Sequence, residues 1–163
     1  MITRFFLLLT FLFPLSVHAQ LMSPTNYRIF IRQLDSRLNQ WEQHVQSLDV
    51  DQLGVSYAVG KNISGSQGIA RETIQRVRRI ADAELDHKAR LSNRIALQNE
   101  LGLLTDTLWI LRNLLPPSQQ GSRWSESVAA PMQQDVSNYV LPLQKHVDAY
   151  ADELQSRAER CLQ

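Results

Sequence analysis

Cysteine is nearly missing from this chain: Cys161 is the only one in 163 residues. That excludes an internal disulfide framework, so the fold must be held by packing. It also excludes the Cys-x-x-Cys-His run that attaches haem covalently. Charge of one sign is missing as well. The chain has 17 Lys and Arg against 16 Asp and Glu, and such a balance supplies no long-range field to collect nucleic acid or anionic lipid. Long apolar runs are missing too. The longest, Phe5 to Leu15, is interrupted by Thr10 and Pro14, whereas a spanning helix needs about 17–25 residues. No Gly-x-Ser-x-Gly elbow occurs, and nothing supports Ser-His-Asp or Cys-His nucleophilic catalysis.

The N-terminus is informative. Met1-Ile2-Thr3-Arg4 is a short basic head, the apolar run follows, and Val17-His18-Ala19 puts small residues at −3 and −1 before Gln20. That order reads as a secretory signal peptide, residues 1–19, cleaved after Ala19. An uncleaved anchor is the alternative. The expected mature protein is one domain, residues 20–163, working in a bacterial periplasm or secreted to the medium. It has no lipoprotein cysteine after the signal and no stable membrane span once the signal is removed. Loss of Arg4 leaves it formally neutral.

The remaining pattern is helical. Ser23 is a good N-cap and Pro24 suits the first helical position. Tyr27, Ile31, Leu34, Leu38, Trp41, Val45 and Leu48 then recur in steps of four and three, a coiled-coil-like heptad seam over residues 24–48. Residues 49–68 hold Gly54, Gly60, Gly65 and Gly68 and read as an irregular, packed, glycine-rich connection. Helix resumes from about Gln67 to Leu115, where Pro116-Pro117 ends it.

This second stretch is long for one globular helix, and its seam changes phase. Ile74, Val77 and Ala81 define one stripe; Leu97, Leu101, Leu104, Leu108, Leu111 and Leu115 define another. A break, kink or change of partner is therefore expected near residues 84–92. Leu103, Trp109, Ile110 and Leu114 lie off the main seam. Apolar residues on more than one face predict a central helix, and an exposed partner-binding face is the rival reading.

Ser118 to Ser125 reads as a polar loop. The last helix runs from Ser125 or Pro131 to Arg160 along Val136, Val140, Leu143, Val147, Tyr150 and Leu154, with a bend expected near Pro142. The fold class is all-α: an antiparallel bundle of three long helices, or four if the middle one breaks.

Candidate chemistry is sparse. Glu84 and His87 form one Glu-x-x-His, which places both on one helix face, yet di-iron bundles use that motif twice. Three histidines, His44, His87 and His146, fall on separate helical stretches. Helix rise sets His44 and His87 roughly 20 Å apart in level if the second helix is straight. Arg71, Arg76, Arg78 and Arg79 are the densest basic cluster, with no aromatics beside them for base stacking. Their plain reading is a solvated helix face, like the i,i+4 pairs Glu72–Arg76, Glu84–Lys88, Asp86–Arg90 and Glu153–Arg157. Trp41 and Trp109 read as core. Trp124 reads as an exposed anchor or a residue folded onto the bundle end. Cys161, odd in an exported protein, suits an intermolecular disulfide.

These observations point to a non-enzymatic interaction or structural protein of the cell envelope, with a protein partner or homo-oligomer and no nucleic acid. No catalytic, cofactor or metal residue is assigned. The alternative is a metal- or haem-binding periplasmic bundle using Glu84 and His87, joined by His146.

Overall fold

The computed structural model describes residues 21–86 and 91–162. The segment read as a signal peptide, His87, and the Lys88 and Arg90 ends of two expected i,i+4 pairs lie outside the described residues. Four long helices make an antiparallel bundle: α1 (Pro24–Gln46), α2 (Tyr57–Leu85), α3 (Leu91–Leu114) and α5 (Ala130–Cys161), with a short α4 (Gln119–Trp124) before the last. The expected four-helix version of the bundle is the one found.

α1 begins as its sequence dictates. The Ser23 hydroxyl accepts from the Asn26 N–H at 3.2 Å, and Pro24 fills the first turn. Tyr27, Ile31, Leu34, Leu38, Trp41 and Val45 are all buried, so the four-three spacing becomes one continuous stripe against the bundle. At the far end α1 leaves carbonyls without helical donors. The Gln67 side-chain amide of α2 supplies them, donating to Val45 O at 2.7 Å and Leu48 O at 2.9 Å.

The glycine-rich connection is shorter than the sequence suggested. It ends at Ser56, and Gly60, Gly65 and Gly68 sit inside α2. Each helical glycine costs about 1 kcal/mol relative to alanine. Burial of Ile63, Ala70, Ile74, Val77 and Ala81 outweighs that, at about 1.5–3 kcal/mol for each large aliphatic side chain. Only Gly54, at φ +65°, takes the left-handed backbone that favours glycine. It follows a single 3-10 turn, Asp51–Leu53, whose Leu53 is buried.

α2 stops at Leu85, and the Asp86 N–H closes its last turn onto Asp82 O. Arg28 of α1 donates to the Leu85 carbonyl at 3.2 Å, placing a cation at the negative end of the α2 dipole. α3 starts again at Leu91 with a new phase. The break thus falls in the expected window, where continued helix would have carried the stripe from Ala81 onto charged residues.

α3 buries Leu97, Leu101, Leu104, Leu108 and Leu111 between α2 on one side and α5 on the other. Leu115 and the two prolines then reverse the chain. The expected polar loop at 118–125 is instead helical. Ser118 caps α4, and Gly121 packs so closely that a Cβ there would stand 2.6 Å from the Pro116 carbonyl oxygen. α4 runs into a π turn, Ser125–Ala129, in which the Ala130 N–H reaches back to Ser125 O. Pro131 follows directly. Its ring crowds the carbonyl four residues earlier and it offers no N–H, which accounts for a widened turn at this point. α5 continues through Pro142 as a single helix. Past Tyr150 it carries no buried residue among those described.

Side-chain contacts between α1 and α5 set their register. Trp41 Nε1 donates to Asp135 at 2.9 Å, and its ring meets Tyr139 edge-on at 5.7 Å. Trp124 folds back onto the bundle end, donating to Ser47 Oγ at 3.1 Å. The anchor alternative for Trp124 is therefore replaced by the folded-back one.

Candidate functional site

Two places in the bundle combine features that packing alone does not require. The first is a buried polar cluster at the end where α2 gives way to α3. Each long helix contributes: Tyr27 from α1, Glu84 from α2, Arg94 from α3, His146 and Tyr150 from α5. Glu84, read from sequence as part of a solvated face, has a side chain with no solvent exposure. The reason is local. It continues the Val77–Ala81 stripe by one turn, and Arg94 enters from α3 to meet it, Nε to carboxylate at 3.7 Å.

That distance makes an ion pair without a hydrogen bond. Among the described residues, neither Glu84 oxygen, nor Arg94 Nε, nor the Tyr27 hydroxyl makes a well-formed hydrogen bond, although Glu84 and Arg94 both act on that hydroxyl. Arg94 is held instead by faces: its guanidinium carbon lies 4.4 Å from the Tyr27 ring centre and 4.8 Å from that of Tyr150. Burial pushes the Tyr27 phenol above its ordinary range, the Glu84 charge adds to that, and Arg94 opposes it.

His146 is the fourth member. Its ring stacks on Tyr27 with centroids 4.7 Å apart. Burial, then the Arg94 charge, lowers its pKa to about 4, so it is neutral near pH 7. The Met22 N–H points at Nδ1 at 3.0 Å, and Arg94 Nη1 stands 3.0 Å from Nε2. A neutral imidazole carries one lone pair and one proton. Two donors therefore compete for one acceptor, and only one of the two contacts is a hydrogen bond at a time.

Glu84 and His146 are brought together, but through a fixed cation. A metal ion at this point would have to displace Arg94 or sit beside its positive charge. Among the described residues, no group of three His, Cys, Asp or Glu is placed to hold a metal. His44 belongs to the other end of the bundle, roughly 25 Å from the level of Tyr27 by helix rise.

The basic cluster is partly neutralised. Arg76 pairs with Glu100 at 2.9 Å and with Glu72 at 3.9 Å, and Arg78 pairs with Glu42 at 3.0 Å. Arg71 and Arg79 line a shallow groove whose other walls include Glu42 and Glu72. The expected i,i+4 pairs Glu72–Arg76 and Glu153–Arg157 both form. Cys161 is an exposed free thiol at the end of α5.

The second place is the outer face of α3. Trp109, read from sequence as core, is 58% exposed, and Leu103, Ile110 and Ile95 are each more than 40% exposed. Geometry explains the correction. The seam from Leu97 to Leu115 occupies one side of the helix, while these four fall about 100° or more away from its centre at 100° per residue. α2 and α5 fill the flanks, so the outer side meets water. Between the apolar residues stand Asn99, Gly102, Asp106 and Asn113, so one charged side chain serves the whole face. On α2 the Arg76–Glu100 pairing sets Ile69, itself 48% exposed, level with this face. The signal was available in the sequence: surplus apolar residues off the seam of a helix that already had one.

Comparison with protein-family models, with curated proteins and with solved structures finds no match for this chain.

Proposed function

We propose that this is an exported, non-enzymatic interaction protein of the cell envelope, and that the outer face of α3 is its working surface. The observation that carries this reading is Trp109. A helix whose seam is already buried by α2 and α5 gains nothing in its own fold from an exposed tryptophan beside Leu103 and Ile110. Contiguous exposed apolar surface marks interaction sites, and tryptophan leads the residues that anchor them. The ionisable groups buried in the bundle are committed to each other: Glu84 to Arg94, and His146 between Arg94 and Met22. Export rests on the N-terminal pattern of basic head, apolar run and small residues before Gln20.

The test starts with the protein isolated gently from its own host. Native mass spectrometry of wild type and Trp109→Glu reads whether a complex exists and whether it uses this face. The expected result is a complex in wild type that Trp109→Glu abolishes, with unchanged circular dichroism and melting temperature. N-terminal sequencing should begin at Gln20. A bare wild-type monomer, or a complex indifferent to Trp109→Glu, overturns the proposal.

A further inference from the structure

His146 stands where both ends of the described chain leave the bundle. On the N-terminal side the Met22 N–H, just before α1, points at Nδ1 at 3.0 Å, and the Met22 side chain packs against the core. On the C-terminal side His146 and Val147 are the last buried residues of α5, which then runs on to Cys161. α3 reaches the same ring through Arg94, 3.0 Å from Nε2. One imidazole, 2% exposed, therefore joins the segment before α1 to both α3 and α5.

We propose that His146 is an acid-operated latch. While its ring is neutral it holds the segment before α1 onto α5, and its protonation releases that segment while the helices of the bundle stay folded.

The chemistry follows from the two ring nitrogens. A neutral imidazole keeps one lone pair and accepts from one of its two neighbours. An imidazolium is a donor at both nitrogens and an acceptor at neither. The Met22 N–H then faces another N–H across 3.0 Å, and the Arg94 guanidinium faces a second cation. One proton thus ends both contacts.

The groups around the ring do not compensate the new charge. Tyr27 of α1 stacks on it at 4.7 Å, and burial holds that phenol above its ordinary range, so it stays neutral throughout. Arg94 of α3 is the cation it faces. Glu84 of α2 pairs with Arg94 rather than with the ring. Tyr150, one turn along α5, lies against the same guanidinium. Burial and then the Arg94 charge set the protonation of His146 near pH 4, so the latch is closed at neutral pH and opens in acid.

Release is local because little else depends on Met22. The Ser23 cap and the buried stripe from Tyr27 to Val45 hold α1 without it, and Val136 and Leu143 hold α5.

The test is an NMR titration of the whole chain from pH 7 to 3.5, with far-UV circular dichroism alongside. The Met22 amide should be protected from hydrogen exchange at neutral pH. Its protection, corrected for the intrinsic pH dependence of exchange, should fall about tenfold or more. The midpoint should be that of the His146 ring carbons, near pH 4, with the helical signal unchanged. In His146→Asn the side-chain oxygen can stand in for Nδ1 as an acceptor and takes up no proton, so Met22 should stay protected across the range. Loss of protection in that variant at the wild-type pH puts the trigger on a carboxylate such as Glu84 and overturns the proposal. So does a Met22 amide unprotected at pH 7, or release that coincides with loss of helix. Should His146→Asn fail to fold, the wild-type titration decides alone: a Met22 midpoint different from that of the His146 ring overturns the latch.

Discussion

Breaking the buried ion pair from its cationic side should damage the fold more than breaking it from the other. The perturbation is Arg94→Met, which keeps an unbranched apolar stem between Tyr27 and Tyr150 and removes only the charged head. Glu84 is then left with no solvent exposure and, among the described residues, no cation paired with it. An uncompensated buried charge of this kind costs about 3–5 kcal/mol, a large share of the 5–15 kcal/mol typical of a whole domain. The converse variant, Glu84→Leu, strands Arg94 instead. Arg94 is partly exposed and lies on two aromatic faces, so it retains favourable surroundings and the loss should be clearly smaller. Glu84→Leu/Arg94→Met together leaves no buried charge and should fall within about 1–2 kcal/mol of wild type. Urea unfolding followed by far-UV circular dichroism at neutral pH gives all four corners of the cycle. A loss under about 1 kcal/mol for Arg94→Met, or a double variant as unstable as the two singles added, would refute the reasoning.

Other perturbations test other parts of the structure. His146 is neutral in the folded protein with a pKa of about 4, below its ordinary value near 6.5. The unfolded chain therefore binds the extra proton between those values, and stability should fall as pH drops from about 6.5 towards 4, with a slope of up to about 1.4 kcal/mol per pH unit. Thermal unfolding of wild type against His146→Phe across that window isolates this slope from the carboxylates. Gly65→Ala and Gly68→Ala, where an added Cβ meets nothing, should each stabilise by about 0.5–1 kcal/mol; Gly121→Ala, driven against the Pro116 carbonyl, should destabilise. Leu108→Ala should cost about 2–5 kcal/mol, while Trp109→Ala on the same helix should leave monomer unfolding nearly unchanged. Equal losses at those two sites would place Trp109 in the core after all.

The helices were legible wherever one physical signal dominated. Ser23-Pro24 and the four-three spacing fixed α1 because capping and burial agreed, and Pro116-Pro117 ended α3 because proline cannot continue a helix. The start of α2 was missed because glycine content is a local penalty of about 1 kcal/mol per residue, and the burial of Ile63 between neighbouring helices is not a local quantity. The 118–125 segment was missed for a similar reason. Its polar residues suit a loop, but Ser118 caps it and Trp124, buried against the end of α1, holds it as helix. Glu84 was singled out by its spacing to His87, which lies outside the described residues. What Glu84 meets is Arg94, ten residues on, brought opposite it only because the chain turns back between α2 and α3.

Heptad stripes of leucine, isoleucine and valine are poor at choosing one alignment. Sliding a helix along its neighbour by one heptad, about 10 Å, would still set apolar side chains against apolar side chains. The polar contacts do not survive such a slide. Gln67 would leave the carbonyls of Val45 and Leu48, Asp135 would leave Trp41, and Glu84 would be carried from Arg94 into an apolar layer. Each of these costs more in the wrong register than it contributes in the right one, because a stranded buried polar group bears its full desolvation penalty. In this bundle the polar groups inside the core are therefore better understood as specifying register than as adding stability. Within α3 the same logic holds: Arg94 selects the alignment, while Leu97, Leu101, Leu104, Leu108 and Leu111 supply the bulk of the buried contact.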